Sequence, residues 1–209
     1  MNPSGTSVSH ASENLILVSP EDEFLGTTTK QEAHRLGGQL HRAFSVFLFT
    51  PEGQVLLHER SRLKPLWPGY WTNSCCSHPR HGESYAEAAH RRTREELGVQ
   101  TSLTEIYQFE YQAHFKRIGS EHELCKVYVG CVSECTEITA HPEEIQNWDW
   151  FDVSEVNEWT ETSPQLFTPW FLMEWKALHT IYQPKLQEAL TRRESNAPHW
   201  RAHSRLVGC

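Results

Sequence analysis

One helix is signalled more strongly than any other element of this chain, and runs that read as strands stand on both sides of it. Ser84 can cap residues 85–97, Glu87 three places on completes a reciprocal capping box, and Gly98 stands at the natural stop. Ahead of it, residues 15–18 read as a short strand. Residues 29–41 begin helical and break at Gly37-Gly38. Residues 43–50 are strongly β, with a Pro51-Glu52-Gly53 hairpin turn and a partner strand at 54–59. Residues 65–79 are punctuated by Pro65, Pro68, Gly69 and Pro79, so a structured loop or short strands are expected. Behind the helix come strands near 103–115 and 123–132 and a short helix over 154–160. A last helix opens on Thr168-Pro169, runs to about 182 and is interrupted by Pro184. Strands, helix, strands, helix is the order of a mixed α/β or α+β sandwich, a mixed sheet flanked by helices. At about 150 residues per domain, the 209 residues read as one domain over 15–183. Residues 1–14 are expected to be a disordered lead-in and 184–209 a polar, basic tail.

The longest apolar runs are about four residues (15–18, 46–49 and 170–173). A spanning helix needs roughly 20, so membrane insertion is not expected. A net charge of −8, from 19 Lys and Arg against 27 Asp and Glu, argues against sequence-independent nucleic-acid binding, which needs a basic footprint. An acidic chain still takes a phosphorylated ligand where a metal or a few cations are placed together. No Lys or Arg precedes Lys30, so the basic start of an export or transit peptide is missing and a cytoplasmic location is expected. The apolar pattern does not separate core from interface, so a monomer and a weak dimer are both compatible with it.

The unusual part of the composition is 13 histidines and eight tryptophans. If the stretch from Trp71 to Pro79 is extended, Cys76 and His78 point to one face. A thiol beside an imidazole can be a nucleophile pair, an acid/base pair or part of a metal site, and the plain alternative is a core cysteine in a buried loop. Glu121 and Glu123 share a face in the same way. Two such carboxylates repel unless a cation or a proton lies between them, although a solvated strand also carries this pattern. His34 and His41 are seven apart, two helical turns or a reach around the Gly37-Gly38 bend. Together, His34, His41, His78, Glu121 and Glu123 are a donor set that suits zinc, manganese or iron, with one octahedral position left open. On the central helix, i,i+4 pairing of Arg91 with Glu87 and Glu95 accounts for those two carboxylates. Glu96 is left over as a candidate magnesium ligand.

Glu83, Arg91 and then Glu95 to Val99 resemble the Nudix box, a loop–helix–loop that binds magnesium against a diphosphate. The box's leading glycine falls on Ser77, and its Arg-Glu pair reads Arg91-Arg92. The wider pattern is similar to the type I isopentenyl-diphosphate isomerase family over roughly residues 15–180. The residues that carry it are His34 through His41, Arg60 through Lys64, Trp67 through Pro79, Glu96 to Gly98, Glu121 with Glu123, and Phe167 to Trp170. The resemblance implies a Nudix-like fold and interconversion of isopentenyl and dimethylallyl diphosphate through a tertiary carbocation. It implies Cys76 and Glu123 as the proton-transfer groups, Tyr111 as hydrogen-bond partner of Glu123, and Trp170 as the ring against the cation. Diphosphate contacts would fall on Arg60 and Lys64, with Lys30, Arg92 and Ser77 beside them. Magnesium would arrive with the diphosphate, held by Glu96 and the Cys76 backbone carbonyl. A second divalent ion (manganese, zinc or magnesium) would sit on His34, His41, His78, Glu121 and Glu123.

Two other classes compete. A Nudix diphosphate hydrolase shares the fold but keeps the Arg-Glu pair. A non-catalytic metal-binding module keeps the ligands but has no need of Cys76, Tyr111 and Trp170 together.

Overall fold

The computed structural model describes residues 13–191. In chain order it holds β1 (Asn14–Val18), β2 (Phe24–Thr29), a one-turn α1 (Lys30–Ala33), β3 (His41–Phe49), β4 (Gln54–Arg60), β5 (Trp71–Thr72) and β6 (Cys75–Ser77). These are followed by α2 (Tyr85–Leu97), β7 (Leu103–Phe115), β8 (Gly119–Cys131), β9 (Ile145–Asp152), α3 (Val153–Thr162), α4 (Pro169–Thr180) and α5 (Gln183–Thr191).

The centre is β3. It runs parallel to β8 over nine residue pairs, from His41 beside Glu123 to Phe49 beside Cys131. On its other side Phe44, Ser45 and Val46 pair antiparallel with Ser77, Cys76 and Cys75. β7 closes the β8 flank as the long hairpin partner of that strand. Because side chains alternate across a strand, β3 is buried on both faces. Ala43, Phe47 and Phe49 join one core with Phe171, Trp175 and Leu178 of α4. Phe44, Val46 and Leu48 join a second with Ala88, Ala89 and Leu97 of α2. The result is a mixed sheet between helices, as the order of elements predicts. The central helix has the expected ends: Ser84 and Glu87 form the reciprocal cap, and Gly98 at φ 73° takes the left-handed stop.

Four expectations change. The chain beyond 183 is not all tail. Pro184 starts α5 rather than ending a helix, because a proline in the first turn gives up an N–H that has no intrahelical partner anyway. α5 buries Leu186 at 2% exposure in the α4 core. The lead-in is shorter than 14 residues. Asn14 already pairs with Thr29, and the Glu13 carbonyl accepts the Lys30 amide at 2.7 Å. Residues 1–12 and 192–209 lie outside the described residues. The β3–β4 hairpin is closed by a single strand pair, Phe49 with Val55. β6 occupies the edge of β3 that β4 would take, so β4 pairs along its length with β9 instead. Finally, helix is confined to one turn before the Gly37-Gly38 bend.

Candidate active site and metal centre

Alternation and register bring the suspected ligands to one face. His41 on β3 stands beside Glu123 on β8, and Glu121 is two residues back on the same face. His78 follows β6, and His34 caps the end of α1. One donor atom from each of the five side chains lies within 4.8 Å of all the others. His34 Nε2 is 2.7 Å from Glu121 Oε2, and His78 Nε2 is 3.0 Å from Glu123 Oε1. The imidazoles of His34, His41 and His78 have centroids 4.9–5.6 Å apart.

The contacts within the cluster do not satisfy every donor atom. His34 Nε2, His41 Nε2, His78 Nδ1 and Glu121 Oε2 are buried without a hydrogen bond of proper geometry. Such orphans are costly unless something else meets them. The Nδ1–H of His41 donates to the Gln39 carbonyl at 2.7 Å. That bond fixes the tautomer and leaves the Nε2 lone pair aimed into the cluster. Burial holds His41 down at about 3 and His78 well below its usual value, so both are neutral, the form that binds metal. Burial alone would raise Glu121, but the imidazole of His34 outweighs it and holds the carboxyl at about 2. Burial, then the charge of Glu121, lifts Glu123. Three imidazoles and two carboxylates that converge in this way can hold a metal ion.

The cluster opens on a cavity of about 830 Å³, and Cys76, Glu123, Tyr111 and Trp170 all line it. The Tyr111 hydroxyl donates to Glu123 Oε2 at 2.6 Å. The two oxygens of Glu123 are thus divided, one to tyrosine and one to imidazole. Cys76 is opposite Ser45 in the sheet. Burial pushes its thiol up to about 12, against the pull of Arg60. Cys75 faces the other way, fully buried under α2. Trp170 stands in the first turn of α4, whose start is pinned to β5: the Thr168 amide donates to the Trp71 carbonyl at 3.0 Å. Its ring packs edge-on to Trp67 at 5.2 Å.

Lys30, Arg60, Lys64 and Ser77 line the same cavity. Arg60 is fixed through the carbonyls of Leu66 and Trp67 and lies 5.2 Å from the Trp170 ring centre. Burial, then Lys64, lowers Lys30 to about 8. Arg92 and Glu96 are not brought into this lining. Arg92 is 2% exposed, with its guanidinium 2.6 Å from Glu96 and 3.2 Å from Glu144. Glu144 is the residue that sequence reasoning missed. It lines the cavity and takes Lys64 at 2.6 Å. Its local signal, Pro-Glu-Glu in a turn, is the same as that of a solvated loop.

The comparisons point one way. A model of the NUDIX domain matches residues 39–171. A Photorhabdus laumondii protein named isopentenyl-diphosphate Delta-isomerase 1 is 40% identical over 78% of this chain and 93% of its own length. A Serratia proteamaculans isopentenyl-diphosphate Delta-isomerase is 42% identical over 79% of this chain and 91% of its own. Among solved structures, Deinococcus radiodurans DR0079 overlays with a TM-score of 0.59 at 24% identity, over 72% of this chain and 90% of that one. A MutT NUDIX hydrolase from Burkholderia pseudomallei gives 0.52 at 19%, over 66% and 97%. These two likenesses support the fold alone.

Proposed function

The chain belongs to the NUDIX domain family and, within it, to the isopentenyl-diphosphate Delta-isomerases, and from that premise we propose that it interconverts isopentenyl and dimethylallyl diphosphate. The observation that carries the reading is a single cavity shared by the Cys76 thiol, the Glu123–Tyr111 pair and the Trp170 ring. Moving an unactivated double bond requires a proton added at C4 and one removed from C2. In between, C3 is a tertiary cation that water would trap. Cys76 and Glu123 are the two proton-transfer groups, each giving in one direction and accepting in the other. Tyr111 orients the carboxyl. Trp170 lays its π face on the cation, worth about 2 kcal/mol when desolvated. That is too little alone, so exclusion of water by the aromatic wall and the positioning of both groups must supply the rest.

His34, His41, His78, Glu121 and Glu123 would hold one divalent ion, with manganese or zinc suiting the donors better than magnesium. Its charge would fix the Glu123 carboxyl and ease loss of its proton. Lys30, Arg60, Lys64 and Ser77 bind the diphosphate. Arg92 acts from behind, holding Glu144 and Glu96. Burial lifts Glu96 against the pull of Arg92, and Glu144 adds to the lift. Glu96 and the Cys76 carbonyl offer oxygen ligands of the kind magnesium takes, and they would meet a magnesium ion that arrives with the diphosphate. Among the described residues no helix is long and apolar enough to cross a membrane, and a cytoplasmic setting belongs to the same reading. Incubation with isopentenyl diphosphate and magnesium tests it. Dimethylallyl diphosphate should form without inorganic phosphate, whereas phosphate release would make the chain a hydrolase.

A further inference from the structure

His34 is the one ligand that the sheet and its immediate ends do not carry. It ends the single turn α1 and begins a strap, residues 34–39, that the Gln39 amide closes on itself by donating to the Ala33 carbonyl at 2.8 Å. The strap lies on the tip of the β7–β8 hairpin, and three successive contacts hold it there through its backbone oxygens. The Ser120 amide donates to the His34 carbonyl at 2.9 Å. The Ser120 hydroxyl donates to the Leu36 carbonyl at 2.5 Å. Gln112 Nε2 donates to the Gly37 carbonyl at 2.6 Å. The approach is close: a Cβ on Gly38, at φ 78°, would come within 3.0 Å of His122 Cβ. Ser120 is 1% exposed, and His114 Nδ1 lies 2.7 Å from its oxygen. A serine has one proton to give. Leu36 receives it, so His114 Nδ1–H is the donor to Ser120, and the hydroxyl is held from both sides.

We propose that Ser120, backed by His114, is a positioning residue for the metal centre: it latches the strap to the hairpin that carries Glu121 and so sets where the His34 imidazole points. Ser120 neighbours Glu121 in sequence and bonds the backbone of His34 and Leu36, so one residue registers two ligands from different parts of the chain. This role rests on reading the His/Glu cluster as a metal site. Groups that orient first ligands typically change metal affinity by about 10–100-fold when removed.

The test is chelator competition for Mn²⁺ and for Zn²⁺ on the full chain, alongside melting of the metal-free protein. Ser120→Ala should weaken affinity by about tenfold or more, with His114→Ala and Gln112→Ala moving the same way by less. Excess Mn²⁺ should restore turnover of Ser120→Ala, which a merely structural defect would not allow. Ser120→Thr, which keeps the hydroxyl, should stay near wild type. If Ser120→Ala folds poorly, the His114 and Gln112 variants carry the test. Wild-type affinity in all three, or a turnover loss that metal does not repair, overturns the latch while leaving the metal centre intact. A wild-type chain that takes up neither ion overturns the metal reading, and the latch falls with it.

Discussion

At the scale of single residues, one slot of strand register separates two adjacent thiols. Cys76 faces the cavity and Cys75 faces α2. Cys76→Ala should lower kcat by at least about 10²-fold with little change in melting. Cys75→Ala should keep turnover and lose stability through the void it leaves. Steady-state rates and melting curves on both variants check this, and equal losses of turnover would contradict the assignment. The sequence already shows Cys76 and His78 on one face, because period two is a local rule. It does not show that Cys75 is spent on packing, since that depends on where α2 lies. Lys30 titrates at about 8, lowered by burial and Lys64, so its charge is present below that pH and lost above it. kcat/KM for the diphosphate should therefore fall above pH 8. Lys30→Arg, charged throughout, should remove that alkaline limb in a pH series. Glu174 on α4 is fully buried, and burial raises its carboxyl to about 8. The unfolded chain ionises near 4.5, so the folded state holds the extra proton between those values and loses stability as pH rises through that window. Glu174→Gln should consequently gain on wild type in denaturant titrations between pH 5 and 8, on a scale of about 1.4 kcal/mol per pKa unit. A constant difference would contradict the buried, neutral carboxyl.

Among the elements, those with self-contained signals were readable. α2 carries its start and stop within 15 residues, from Ser84 to Gly98. α5 was not readable, because its proline marks an ending in one context and a first turn in another. Only contact with the α4 core decides. Leu186→Ala should cost about 2–5 kcal/mol in chemical denaturation while leaving KM unchanged. A cost under 0.5 kcal/mol, the usual scale of a surface change, would mean that α5 is appended rather than packed. β4 illustrates the same limit. Its turn residues predict a hairpin, but strand partnership is a competition for edges, and β6 occupies the edge that β4 would need.

For the whole molecule, the −8 net charge is reconciled with an anionic substrate by segregation. Lys30, Arg60 and Lys64 all line the one cavity, which members of the His/Glu cluster line as well. The five candidate metal ligands could be collected from the sequence because each is chemically conspicuous. Glu144 could not, because its importance comes from Lys64 and Arg92, which are distant in sequence and adjacent in the fold. The proposed isomerisation rests on a thiol and a carboxyl in one cavity that exchange protons with an olefin and leave its diphosphate intact. Turnover of isopentenyl diphosphate in deuterated water measures this directly, with the product read by mass and position of label. The expected product is dimethylallyl diphosphate with deuterium in the methyl group formed from C4, with no inorganic phosphate, and with no label when Cys76 is alanine. Unlabelled olefin accompanied by released phosphate would contradict it.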